Sequence, residues 1–70
     1  MPIEKAKKLL EDPSSSLNDL VDCLNSLSIN QGYVEAAKKA GLYHSKTAHE
    51  IITELNFYIE QIKARIKNYN

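Results

Sequence analysis

The sequence predicts an all-α domain, a small four-helix bundle in which three short helices pack on one long C-terminal helix. Three observations carry this. Apolar residues recur at three- and four-residue steps along nearly the whole chain, and no stretch alternates as a half-buried strand does. Breakers fall at punctuating positions, Pro13, Gly32 and Gly41. From Ser45 onward there is no proline or glycine at all. Seventy residues make a single domain, 1–70.

The first helix is expected over about 3–11, with Ile3, Ala6, Leu9 and Leu10 on one face. Asp12-Pro13 stops it, because proline pushes the residue before it out of helical geometry. The serines that follow offer N-caps, and Ser16-Leu-Asn-Asp19 is an acidic version of a capping box. A second helix over about 16–28 would bury Leu17, Leu20, Val21, Leu24 and Leu27. "INQG", residues 29–32, reads as a turn. A third helix over about 32–40 ends at Gly41, which suits the left-handed position after a helix. The fourth, about 46–68, starts near Ser45 or Thr47, since Thr47-Ala-His-Glu50 has capping-box spacing.

The fourth helix carries Ala48, Ile52, Leu55, Ile59, Ile62, Ile66 and Tyr69 in alternating steps of four and three. That is a coiled-coil seam. Ile51 and Tyr58 widen its first half, while Arg65 narrows the second, which then suits a single partner helix. Phe57 sits off the seam, on the row of Glu50 and Ala64. Such a helix, roughly 36 Å long, would overhang a second helix of about 20 Å. Helix 1, a second copy of the chain or another protein would cover the overhang.

A chain this short buries a modest core, and regular helices or a partner usually complete it. The single cysteine, Cys23, rules out an internal disulfide and favours a reducing, cytoplasmic setting, with Cys23 as a small core residue. No signal peptide is read in "MPIEKAKKLL", and no stretch approaches the ~20 apolar residues that span a bilayer, so no membrane partner is expected. Nine basic residues balance nine acidic ones. That balance leans away from a dedicated nucleic-acid binder. The distribution is uneven: every charge from Glu11 to Glu35 is acidic, and lysines gather at Lys5, Lys7, Lys8, Lys38 and Lys39 and again in Lys63-Ala-Arg65-Ile-Lys67.

"EAAKKAGLYHSKTAHEIITEL", residues 35–55, resembles the helix-turn-helix of DNA-binding proteins, and most of all its phage small-terminase version. Ala36 and Ala37 would allow close helix approach, Gly41 the turn, and Leu42 the plug into the core. The resemblance implies a groove-facing set of Lys46, Thr47 and His49 (with Glu50 and Thr53), and Lys38 and Lys39 near phosphates. It covers about 20 residues of a degenerate motif. It departs from the pattern in a longer turn, "LYHS", and in Glu50 and Glu54, whose charge would repel phosphates.

Little else supports chemistry. "HEIITE" opens like a zinc-protease motif, but Thr53 stands where the second histidine would be. There is no glycine-rich phosphate loop, and Cys23 lies near an apolar stripe. No catalytic residue, metal site or cofactor is therefore expected. The expected function is a non-enzymatic protein–protein interaction module of adaptor, co-chaperone or regulator type. It would act through Phe57, Ile59, Ile62, Ile66 and Tyr69, with self-association into a homodimer as the default. The alternative is a helix-turn-helix DNA binder using Lys38, Lys39, Lys46, Thr47 and His49.

Overall fold

The computed structural model describes residues 2–69, and these form three α-helices: α1 (Pro2–Glu11), α2 (Leu17–Lys39) and α3 (Ser45–Lys67). The all-helical class agrees with the sequence. Four helices do not: the segments expected at 16–28 and 32–40 are one helix, and "INQG" is part of it. Nor is the C-terminal helix uniquely long, because α2 and α3 each have 23 residues.

Why α2 runs through its own breaker is visible in its contacts. Leu20, Cys23, Leu27, Val34 and Ala37 are all buried, and they keep one stripe in register on both sides of "INQG". The polar residues between them are accommodated helically. Asn30 Nδ2 donates to the Ser26 carbonyl one turn back, at 2.9 Å, and Gln31 Nε2 bonds Asn56 Oδ1 across the interface with α3. Glycine costs a helix only about 1 kcal/mol relative to alanine. Leu27 and Val34 packing on either side outweighs that. At Gly32 an added Cβ would meet no atom within 4 Å. Within the single chain Gly32→Ala is therefore expected to raise stability by about 0.5–1 kcal/mol, read as a higher melting midpoint at concentrations low enough to keep the chain monomeric. A lower midpoint would show that the backbone there is under some demand other than helix continuity.

The α2–α3 connection, Ala40–His44, closes with a full C-terminal motif. Gly41 takes φ 77°, the Leu42 N–H donates to the Ala37 carbonyl at 2.9 Å, and the Gly41 N–H donates to the Lys38 carbonyl at 3.1 Å. This is the turn the sequence indicated at Gly41, but Leu42 does not plug the core. Its backbone is used in the motif, and its side chain is 75% exposed at the end of the molecule. His44, rather than Ser45 or Thr47, caps α3: it is extended (φ −61°, ψ 137°), and its Nδ1 accepts from the Lys46 N–H at 3.3 Å. Ala37 and Ala48 are both buried near this end, so the two helices can lie close. Ala36 points outward.

At the other end α1 is fastened by its C-terminus. Asp12 Oδ1 accepts from the Ser14 N–H and hydroxyl at 2.8 and 2.7 Å, closing the turn around Pro13. Those bonds, Ser14's hydroxyl first, hold the Asp12 carboxyl below its ordinary pKa, with Arg65 a minor contributor. Buried Ser15 donates to the Leu9 carbonyl at 2.8 Å, and Ser16 caps α2 by accepting from the Asp19 N–H at 3.1 Å. Arg65 of α3 reaches over to donate to the carbonyls of Leu10 (3.3 Å) and Asp12 (2.7 Å). Lys7 Nζ lies 6.0 Å above the ring of Tyr58.

These contacts place α1 over the first half of α2 and the second half of α3. Ile3 and Ala6 join Leu20, Cys23, Leu27, Val34, Ala48, Leu55, Ile59 and Ile62 in one core. A ten-residue helix is only about 15 Å long, so the distal half of the hairpin projects beyond it. The molecule measures 42 × 18 × 16 Å.

Candidate functional site

Helix α3 presents the sequence-derived interaction residues in three different settings. Ile59 and Ile62 are buried in the chain's own core, and Ile66 packs against that core, partly covered. Phe57 is 56% and Tyr69 42% exposed. The seam of fours and threes thus faces α1 and α2 of the same chain. The overhang expected of this helix is covered within the chain, by an α2 of equal length and by α1, the first of the three covers named for it. The five residues do not form one surface. Phe57 stands alone among them on the outer side of α3, edge-on to Tyr58 with ring centroids 5.1 Å apart. Around it His49, Glu50, Thr53, Glu54 and Tyr58 line a shallow surface depression of about 460 Å³.

The residues of the helix-turn-helix alternative, Lys38, Lys39, Lys46, Thr47 and His49, are all exposed near the hairpin turn. Lys38 and Lys39 border a cavity of about 340 Å³ with Glu35, Ser45 and Ile52. The relation of the helices differs from a DNA reader's, whose second helix crosses the first at roughly 90–120°. Each of α2 and α3 is about 34 Å long. Neither can lie across a body 18 × 16 Å in section, so both run along its length, antiparallel.

For nucleophilic chemistry the arrangement offers little. Cys23 is buried, and that burial pushes its thiol pKa up, the reverse of an activated thiolate. Among the described residues no three His, Cys, Asp or Glu side chains gather as metal ligands would. No helix of these residues is long and apolar enough to cross a membrane.

What the sequence reading missed lies on α2. Ile29 and Tyr33, one turn apart, are 71% and 69% exposed on the side turned away from the core stripe. Gly32 and Ala36, both exposed, lie beside them on the same outer surface. Read as one helix, residues 17–39 place Ile29 opposite Leu20, Leu27 and Val34, and Tyr33 about 100° round from Val34, by simple 3.6-residue periodicity. Splitting the helix at "INQG" hid it, because the turn absorbed Ile29 and left Tyr33 without a face.

No protein-family model, curated protein or solved structure matches the chain.

The surface carries separated apolar points on a rod: Ile29 with Tyr33 along α2, Phe57 along α3, Tyr69 beyond its end, Leu42 with Tyr43 at the turn, and Leu17 with Val21 at the start of α2. These last two were expected in the core but are left exposed because α2 turns its Leu20–Leu27 stripe inward. Single exposed apolar residues are ordinary. A pair stacked at i and i+4, with the small residues Gly32 and Ala36 beside it, is the pattern by which one helix receives another.

Proposed function

We propose that this chain is a non-enzymatic helical protein–protein interaction module, of adaptor, co-chaperone or regulator type, with a second copy of itself as the default partner. The observation that supports it is the outward pair Ile29 and Tyr33 on α2. The core within the chain is complete without these two side chains, so their contribution to folding is small while their cost in exposed apolar area is not. Gly32 points the same way. Nothing inside the chain needs a glycine there, yet a missing side chain lets a second helix approach closely. Phe57 and Tyr69 of α3 remain accessible as secondary contacts, whereas Ile59 and Ile62 serve the chain's own core.

The test is sedimentation equilibrium over a wide concentration range with the wild type and with Ile29→Lys combined with Tyr33→Lys. Both positions are exposed, so the double variant should keep its helicity and melt cooperatively. The expected result is a wild type that dimerises and a variant that stays monomeric. Phe57→Lys is expected to leave the dimer largely intact. A wild type that is monomeric at all concentrations would end the self-association reading, and a dimer indifferent to the double variant would move the interface off α2.

A further inference from the structure

We propose that the tip of the α2–α3 hairpin is a docking surface for an anionic lipid bilayer, separate from the α2 face above. Leu42 has the largest exposure among the exposed apolar side chains of the described residues, and Tyr43 beside it is also exposed. The bonds from the Gly41 and Leu42 N–H groups back into α2 hold the turn in one shape, so this apolar point is presented rigidly rather than on a loose loop.

The charges nearest the turn are basic, and acids begin about one helical turn behind them, with Glu35 and Glu50. Three of the nine basic residues, Lys38, Lys39 and Lys46, and none of the nine acidic ones lie between Ala36 and His49. Those residues carry +3, with Glu35 and Glu50 bounding them on either side. None of the three lysines is in an ion pair among the described residues. Unpaired lysines on the turns nearest the tip attract it to a negative surface.

Shape and chemistry together favour lipid over the other polyanions. The tip is the narrow end of a body 18 × 16 Å in section, and the cavity that Lys38 and Lys39 border lies on its flank between α2 and α3, away from Leu42. A bilayer interface yields around a convex point. It supplies phosphate and carboxylate to the lysines, a hydrocarbon boundary to Leu42 and a mixed layer to Tyr43, whose ring and hydroxyl suit the headgroup level. Nucleic-acid phosphates would satisfy the lysines and leave Leu42 in water. The sequence expectation of no membrane partner came from the absence of a spanning segment, and peripheral contact needs none.

Co-sedimentation with vesicles of phosphatidylcholine, with and without phosphatidylserine, tests this on the full chain. The wild type should partition onto the phosphatidylserine vesicles at low ionic strength, less so at about 0.15 M salt, and not onto phosphatidylcholine alone. Each lysine near such a surface is worth about fivefold in partitioning, so Lys38→Gln, Lys39→Gln and Lys46→Gln together should lower it roughly 100-fold. Leu42→Ser should lower it about tenfold. The chain has no tryptophan, so Leu42→Trp is a unique reporter. Its emission should move to shorter wavelength on phosphatidylserine vesicles, while that of Tyr33→Trp on α2 should not. Circular dichroism checks that every variant remains helical. No partitioning at low salt would overturn the proposal. So would partitioning unaffected by Leu42→Ser with unshifted Leu42→Trp emission. Duplex DNA binding more tightly than vesicles of equal anionic charge would overturn it in favour of a nucleic-acid contact.

Discussion

Ile62→Glu, alone or joined to Ile66→Glu, is expected to unfold the protein rather than to release folded monomers. Ile62 is fully buried at the centre of the core, and Ile66 packs beside it, partly covered. A glutamate at position 62 would put a carboxylate among aliphatic side chains, with no buried cation to pair it, while removing one of the largest core side chains. Together these cost at least about 4 kcal/mol. A domain of 70 residues has about 3.5–10 kcal/mol to lose. Far-UV circular dichroism should show most helicity lost at room temperature, or a melt shifted far down and broadened. A double variant that keeps a native melt while changing only its mass in sedimentation would show that Ile62 faces another molecule. The buried core described here would then be wrong. The contrast with Ile29→Lys and Tyr33→Lys is the useful one, since equally drastic changes on the outside of α2 should spare the fold.

Arg65→Ala should cost about 1–3 kcal/mol and lower the melting midpoint by roughly 5–20 °C for a domain of this size. The last carbonyls of a helix have no partner within it. In α1 two of the partners come from elsewhere: the Ser15 hydroxyl for Leu9 and the Arg65 guanidinium for Leu10, the latter also reaching Asp12. Its charge stands at the negative end of the α1 dipole, which adds to the bond strength. Removing it leaves the part-buried Leu10 carbonyl unpaired and frees the only side-chain hydrogen bonds from α3 to α1 and its loop among the described residues. Arg65→Lys should recover part of the loss at most, because an ammonium cannot place two donors with a guanidinium's fixed fork. Amide exchange should speed up in α1 before it does in α2 or α3. An unchanged midpoint in Arg65→Ala would mean that Ile3 and Ala6 alone hold α1 in place.

Much of the fold was legible where chemistry is local. Pro13 ends α1 within a residue of the expected place, Ser16 caps α2, Gly41 closes it, and the breaker-free run after Ser45 is one helix. Each of these depends on a few neighbouring backbone groups, and residue type alone announces them. The start of α3 at Ser45 agrees with one of the two expected places, while the capping box read from Thr47 gives way to a cap by His44. Serine and threonine are the better acceptors on average, but the turn's geometry put His44 in the extended position and Ser45 already inside the helix.

The candidate surfaces were less legible, and both errors have the same origin. An apolar seam on α3 says that something must cover it, and cannot say whether the cover comes from the same chain. Reading α2 as two short helices made that cover too short, and so Ile59, Ile62 and Ile66 looked outward. The choice between turn and helix at residues 29–32 is decided by about 1 kcal/mol of local preference on one side. On the other side stands the burial of Leu27 and Val34 against α3, each worth about 1.5–3 kcal/mol. Only the second appears when the partner helix is in place.

By itself, then, the sequence determined that the chain is helical, where α1 ends, and that Gly41 closes the helix before it. The tertiary structure decided that α2 is continuous and that the α3 seam is internal. It also decided that Ile29, Tyr33 and Leu42 are the most exposed of the apolar residues turned to solvent. Caps and breakers act through bonds spanning a few residues, whereas burial depends on what packs from far along the chain.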